Sequence, residues 1–458
     1  MFNIKELCDI FGHDCCDDSV SNTVISSVDH DTRRLKAGSL YIAIKGDNLD
    51  GHDFIKDAVA KGAKACVVEK RMADVSVFQL VVKDSIKAYG EIASYWRSKI
   101  KYPIVAVTGS NGKTTTKDML YAVLSFKNKT VATDGNFNNL IGVPYTILNF
   151  PIDADFGIVE MGMNAKSEIA QLANIAKPDA AIITNIGRAH IGLLGSIEQI
   201  FKAKMELFDY TIANNGSVCV NLSDPMMLKW FESAKLKVPY ITYGVDGKNL
   251  PPVEVKAVPL STANGREKFN VIVNDLCLDA EIPVIGLHNI QNACSAISAG
   301  ILLGLEAKDC VDAIKNYKGS KLRSTILEKD GVIYFVDCYN ANPDSMRVAI
   351  DSTFEYSNKG KKVAVLGDML ELQAMSEQLH NEIGNYVGLK GFDMVFFYGN
   401  YAQQYADGFI KAVGHNPNVK TYAFGKIVDL KNDLIALVKK GDVVLVKGSR
   451  GMKLEDIL

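Results

Sequence analysis

Short apolar runs alternating with helical periodicity extend along the whole chain. SLYIAIKG (39–46), ACVVE (65–69) and FQLVV (78–82) read as strands, and 53–62 and 84–98 as helices. PIVAVTG (103–109), TVAT (130–133), FGIVEMG (156–162), AAIITNIG (180–187) and SVCVN (217–221) follow, several separated by amphipathic helical stretches. Strands alternating with helices predict a mostly parallel sheet covered on both faces. Polar β-like segments and a Pro-Pro pair interrupt the pattern around 250–286, where a small antiparallel insertion is expected. The alternation resumes with KKVAVLG (361–367), FDMVFFYG (392–399), KTYAFG (420–425) and DVVLVKG (442–448), a second α/β unit with its own sheet.

At 458 residues and 48% apolar content the chain is too long for one ordinary core. Three domains are expected, at 1–98, 99–318 and 319–458. Charge is nearly balanced, with 51 Lys+Arg against 53 Asp+Glu, so no broad electropositive field exists to hold a nucleic-acid backbone. No apolar run approaches the ~20 residues of a membrane span, and the N-terminus carries charges where a signal peptide needs an apolar core. A cytoplasmic protein is expected, with a monomer as the default state. Nine cysteines, at 8, 15, 16, 66, 219, 277, 294, 310 and 338, show no repeated CxxC spacing. That argues against a disulfide framework and a structural zinc, leaving most of them as small apolar filler.

Loops after adjacent parallel strands converge at the strands' carboxyl ends, so those after PIVAVTG, GIVEMG and AIITNIG should meet in one crevice. The first, Thr108-Gly109-Ser110-Asn111-Gly112-Lys113-Thr114-Thr115-Thr116, follows a strand and opens a helix, as a phosphate loop requires. Gly109 and Gly112 let backbone N–H groups approach phosphate oxygens, Lys113 supplies a point charge and Thr114 a hydroxyl for Mg²⁺. The spacing is one residue shorter than the usual Walker pattern, which points to a variant ATPase class. Glu160, at the end of its strand, is placed to reach a Mg²⁺ beside Thr114; by itself such a residue is equally a cap or a surface group.

His190 follows another strand. In SIEQIFKAKMELFDY the apolar positions Ile197, Ile200, Phe201, Leu207 and Phe208 form one helical stripe, and Lys204 falls inside it while Glu198, Lys202 and Glu206 lie outside. An inward lysine is either a snorkelling stem or a group that is paired, neutralised or modified. In His288-Asn289-Ile290-Gln291-Asn292, amides one helical turn apart either cap the helix or bind a base or ribose edge. Arg323 and Asp337-Cys338-Tyr339-Asn340-Ala341-Asn342-Pro343 stand at the entrance to the last region, as a turn or as ligand contacts.

Taken together, these motifs resemble the Mur ligase family of ATP-dependent amide-forming enzymes over nearly the whole chain. The segments that carry the likeness are DTR (31–33) with GSLYIAIKGDNLDGHDF, TGSNGKTTTK, GNFNNLIGVPYTIL, EMG, TNIGRAHIGLLGS, KAKMELF, GLHNIQNA, DCYNANPDSM, VLGDMLEL followed by His380, and VLVKGSRGM. NNLIGVP, YNANPDSM and GDMLEL resemble the branch that adds D-alanyl-D-alanine to UDP-MurNAc-tripeptide. The resemblance implies an N-terminal α/β domain for the UDP substrate, a central P-loop ATPase-like domain and a C-terminal Rossmann-like α/β domain. It further implies ATP and two Mg²⁺ ions. Residues 109–115 would hold the phosphates, Thr114 and Glu160 one ion, and His190 the second, with Lys204 carried as a carbamate. Asn139 would lie near the phosphates, Asn289 and Asn292 face the adenine, and Arg323 with Asp337 reach nucleotide from the third domain. Asp31, Thr32, Arg33 and Lys45, with Tyr339, Asn340 and Asn342, are the implied substrate contacts. Three places depart from the family pattern: Gln373 and Ser167 stand where Gly is common, and Ser324-Thr325 replaces a hydrophobic–acidic pair.

Two alternatives stay in view. A ligase of the same class could take a free amino acid, adding it to a muramyl dipeptide or to folate. A nucleotide-driven switch or motor would hydrolyse ATP without peptide and would have no need of Lys204 on a buried face.

Overall fold

The strand Ile104–Thr108 runs through the middle of a nine-stranded sheet, fully buried on both sides. In a computed structural model, residues 1–458 are described apart from 14–17, 47, 264, 357–359 and 415–416. Across the sheet from one edge lie Thr130–Ala132, Phe156–Glu160, Ile104–Thr108, Ala180–Ile183, Ser217–Asn221, Tyr240–Val245 and Val255–Ala263, all parallel to their neighbours. Continuous apolar runs suit strands covered on both faces. Arg266–Val273 and Leu276–Ile282 then pair antiparallel onto that edge. The interruption expected at 250–286 is therefore an extension of the main sheet. Its last reversal is the two-residue turn Asn274-Asp275, with Asn274 at φ +51°, a conformation Asn tolerates well.

Ahead of this domain, Ser27–Asp29, Ser39–Ile42, Ala65–Val68 and Phe78–Val81 form a four-stranded parallel sheet. Helix Ser85–Lys99 leads out of it, and its buried Arg97 binds the central domain. Nε donates to the Ala176 carbonyl at 2.8 Å and Nη2 to Asp179 Oδ2 at 2.7 Å. The third domain carries its own six-stranded sheet, in the order Thr325–Lys329, Val332–Asp337, Val443–Lys447, Lys362–Gly367, Met394–Tyr398, Val419–Tyr422. Only the first pair is antiparallel. The molecule is thus a three-domain α/β protein whose central and third sheets both point strand ends at their shared seam.

Among the described residues no helix is long and apolar enough to cross a membrane. Cys66, Cys219, Cys277, Cys294, Cys310 and Cys338 are free thiols, and all but Cys277 are buried, as filler should be. Cys8 departs from that reading, being disulfide-bonded; Cys15 and Cys16 lie outside the described residues.

Candidate active site

The phosphate-type loop bridges Ile104–Thr108 and the helix Lys113–Leu124. Gly109 has φ +153° and Gly112 +79°. An added Cβ would come within 1.8 Å of Thr184 Oγ1 at the first and 2.3 Å of Asn292 Oδ1 at the second, so both positions need glycine for conformation and space alike. The next strand's loop braces the turn: the Asn111 carbonyl accepts from Thr184 Oγ1 at 2.6 Å and from Asn185 Nδ2 at 2.9 Å. Lys113 Nζ folds back onto the Gly109 carbonyl at 2.8 Å. Burial pulls its ammonium below the ordinary lysine range, against the pull of Glu160, while Arg323 adds to the depression. A cation held on its own loop carbonyl, at a helix N-terminus, is preset for an anion.

Beside this loop Glu160 is 1% exposed. Its Oε1 accepts from Asn138 Nδ2 at 2.7 Å, while Oε2 is buried with no partner. A buried carboxylate oxygen without a partner fits a missing cation. Lys204 lies on helix Ile197–Ala213, 1% exposed, and among the described residues its ammonium makes no hydrogen bond or ion pair. Burial, with the nearby charge of Lys113, drives its pKa well below the ordinary lysine range. At 1% exposure the side chain does not snorkel out to bulk water. No three His, Cys, Asp or Glu side chains gather tightly enough to hold a metal by themselves among the described residues.

A cavity of about 560 Å³ opens over the loop between the central and third domains. Of the residues singled out from the sequence, Ser110, Asn111, Gly112, Lys113, Thr114, Thr115, Asn139, Glu160, His190, Asn289, Asn292, Arg323, Asp337, Tyr339, Asn340 and Asn342 line it. Gly109 and Lys204 sit outside that lining, as do Asp31, Thr32, Arg33 and Lys45. In the N-terminal domain Arg33 Nη2 pairs with Asp31 Oδ2 at 2.7 Å, Thr32 is buried and Lys45 is exposed, bridged to Asp50 through the backbone.

The amides of the helix Leu287–Leu302 are partly engaged. Asn289 Nδ2 donates to the Ile285 carbonyl at 2.8 Å and Asn292 Oδ1 accepts from Thr116 Oγ1 at 3.2 Å. Burial lowers the pKa of their neighbour His288 to about 4. From the third domain, the Arg323 guanidinium lies 3.9 Å over the Tyr339 ring. Burial tends to raise the pKa of Asp337, but Lys447 Nζ at 2.5 Å prevails and holds the carboxyl below its usual range.

The Arg188–Asp344 pair in the seam was not singled out from the sequence. Asp344 Oδ2 accepts from the Arg188 backbone N–H at 2.6 Å and Oδ1 from Arg188 Nε at 2.9 Å, closing the third domain onto the 184–190 loop. His190, at φ +62°, has Nδ1 3.0 Å from Glu371 Oε2, and this imidazole holds the Glu371 carboxyl below its usual range. Arg188 and Asp344 stand inside TNIGRAH and YNANPDSM, but their pairing spans 156 residues and leaves no local signal.

Residues 24–98 match the Mur ligase family catalytic domain, 107–300 the Mur ligase middle domain and 322–450 the Mur ligase glutamate ligase domain. A relative from Bacillus subtilis (strain 168), UDP-N-acetylmuramoyl-tripeptide–D-alanyl-D-alanine ligase, is 36% identical over 99% of this chain and 97% of its own. This chain belongs to the Mur ligase family. Among solved structures, MurF from Acinetobacter baumannii superposes with a TM-score of 0.89 at 28% identity, covering 100% of this chain and 97% of that one. MurF from Thermotoga maritima in complex with ADP superposes with a TM-score of 0.82 at 27% identity, covering 95% and 96%.

Membership in the Mur ligase family gives physical meaning to the sequence departures. Ser167 has φ +66°, Ser324 +47° and Gln373 +49°, all in the left-handed region. Two of them, Ser167 and Gln373, stand where the resemblance implies glycine, the residue with no steric objection to that conformation. Each of these side chains carries strain that glycine would avoid. His380, behind GDMLEL, is wholly buried. Its Nε2 accepts from the Met369 backbone N–H at 2.9 Å and its ring stacks on Tyr401, so it shapes that loop and stays out of the cavity.

Proposed function

We propose that this protein is an ATP-dependent, ADP-forming ligase that joins D-alanyl-D-alanine to UDP-N-acetylmuramoyl-tripeptide, making the UDP-MurNAc-pentapeptide precursor of peptidoglycan. The observation that carries this reading is full-length likeness to ligases of that name, with a cavity whose groups suit the chemistry. In this reading residues 1–98 hold the UDP substrate, 99–318 the nucleotide, and 319–458 contact nucleotide and D-Ala-D-Ala. The enzyme acts in the cytoplasm as a monomer.

A free carboxylate is a poor electrophile because its charge repels an amine. The tripeptide's terminal carboxylate therefore attacks the γ-phosphate of ATP, giving ADP and an acyl phosphate. The dipeptide amine then attacks the activated carbonyl, and phosphate leaves from the tetrahedral intermediate. Lys113 and the loop N–H groups offset charge on the transferring phosphoryl group. Asn139 lies near the phosphates, Asn289 and Asn292 face the adenine, and Arg323 and Asp337 reach the nucleotide from the third domain, so nucleotide binding draws two domains together. Water exclusion in the closed seam protects the acyl phosphate.

Two Mg²⁺ ions belong to this reading. Thr114 and Glu160 would hold one, which suits the unpartnered Glu160 Oε2. His190 and Lys204, as its carbamate, would serve the other. The neutral amine adds to CO₂ and releases one proton, leaving a buried anion beside Lys113; counted from the ammonium form, two protons are released. When bound, the ions neutralise phosphate charge. Tyr339, Asn340 and Asn342, with Asp31, Thr32, Arg33 and Lys45, remain the proposed substrate contacts.

The test follows oxygen. With ¹⁸O in the tripeptide's terminal carboxylate, one label should pass to inorganic phosphate in each turnover. Unlabelled phosphate would rule out the acyl phosphate.

A further inference from the structure

Five carboxylates line the cavity, and four are already engaged. Asp337 is matched by Lys447 and Asp344 by Arg188. Glu160 holds Asn138 and faces the proposed ion site. Glu168 accepts the Asn164 N–H at 2.6 Å at the start of helix Glu168–Ala176, where a negative charge is favoured. Glu371 is different: among the described residues its only ion-pair neighbour is the His190 imidazole, and its side chain is 46% exposed.

Its backbone is left-handed and closely packed. Glu371 has φ +70°, a conformation glycine would adopt more easily, yet a carboxylate stands there. The 371–372 chain lies directly on Gly192, where an added Cβ would meet the Leu372 carbonyl carbon at 2.4 Å and the Glu371 carbonyl oxygen at 2.7 Å. The third domain thus delivers to the rim of the reaction cavity a carboxylate that no lysine or arginine pairs with at ion-pair distance among the described residues, beside His190. Leu370 and Leu193, next to Glu371 and Gly192 in the chain, keep exposed apolar side chains.

The last reactant to enter must bring an amine. An α-amino group has a pKa near 8, so the dipeptide arrives mainly as an ammonium ion. The phosphate loop, Lys113 and Arg323 present positive charge, which repels it. We infer that Glu371 is the anchor for the ammonium terminus of the incoming dipeptide, holding it at the third-domain side of the cavity. This rests on the ligase reading above and adds to it the residue that receives the amine. A charge-assisted bond at this point aligns the nucleophile before its proton is lost.

The test separates the two half-reactions. With ATP and UDP-MurNAc-tripeptide but no dipeptide, hydroxylamine traps the acyl phosphate as a hydroxamate. Full turnover gives the KM for D-Ala-D-Ala. In Glu371→Gln the dipeptide KM should rise about 10- to 100-fold while the hydroxamate yield stays within about twofold of wild type. Glu371→Asp, with the charge on a shorter stem, should fall between. An unchanged dipeptide KM overturns the inference. So does a hydroxamate yield that falls in step with weakened Mn²⁺ binding, since Glu371 would then act through His190. Absence of hydroxamate from the wild-type enzyme would instead defeat the ligase reading itself.

Discussion

Asn342 Nδ2 donates to Asn111 Oδ1 across 2.7 Å, joining the first turn of a third-domain helix to the phosphate loop. The same side chain caps that helix, Pro343–Glu355, because its Oδ1 accepts the Ser345 N–H at 3.0 Å. The two roles separate in Asn342→Asp, which keeps the capping oxygen and replaces the donor by an anion facing Asn111 Oδ1. Thermal stability should change by less than about 1 kcal/mol. The KM for ATP should rise about 3- to 10-fold, as expected for one lost hydrogen bond. Small-angle scattering with an ATP analogue and the UDP substrate should show compaction in wild type and less of it in the variant; equal profiles would remove the bridge from the closing motion.

Lys204 has no partner in a buried setting, and a carbamate is the modification that gives it a purpose. Lys204→Ala should lower kcat about 100-fold or more. Acetate or formate should restore part of the loss by placing a carboxylate in the gap. Wild-type rates in the variant, measured as ADP release, would remove the carbamate.

Ser167 and Gln373 bear left-handed backbone on exposed side chains. Relief of that strain is worth about 1–2 kcal/mol, and the added freedom of glycine in the unfolded chain takes back about 0.5–1. Ser167→Gly and Gln373→Gly should therefore each stabilise by about 0.5 kcal/mol, read as a higher denaturation midpoint. Gln171→Gly, inside helix Glu168–Ala176, should instead lose about 1 kcal/mol.

Burial lowers the pKa of His380 to about 4, from an ordinary value of 6.5. The unfolded chain binds this proton first, so His380 contributes its full stability above pH 6.5. That contribution declines as pH falls towards 4, by about 1.4 kcal/mol per pH unit. The ring should stay neutral in NMR titrations until about pH 4. A midpoint near 6.5 would mean the ring is solvated.

What could be read from the chain alone was local. The Gly109–Gly112 turn announces itself because the strand, glycines, lysine and helix start are contiguous. Lys204 stood out because one polar residue interrupted a stripe of 3.6-residue period. The hairpin strands after 255 were visible as an interruption, but nothing nearby shows which sheet edge they join. The seam was opaque for the same reason. Arg188 and Asp344, or Lys447 and Asp337, meet only because two sheets aim their strand ends at one cleft. Glu371 lies in GDMLEL, but nothing nearby in the chain shows that Gly192 packs beneath its backbone.

The most direct measurement is ADP release by the purified protein with UDP-MurNAc-tripeptide, with D-Ala-D-Ala or with single amino acids, and with mass analysis of the nucleotide-sugar product. One ADP should appear per UDP-MurNAc-pentapeptide formed, with little release when either peptide substrate is left out. Turnover with a free amino acid and none with D-Ala-D-Ala, or steady ATP hydrolysis without any peptide, would contradict the assigned reaction.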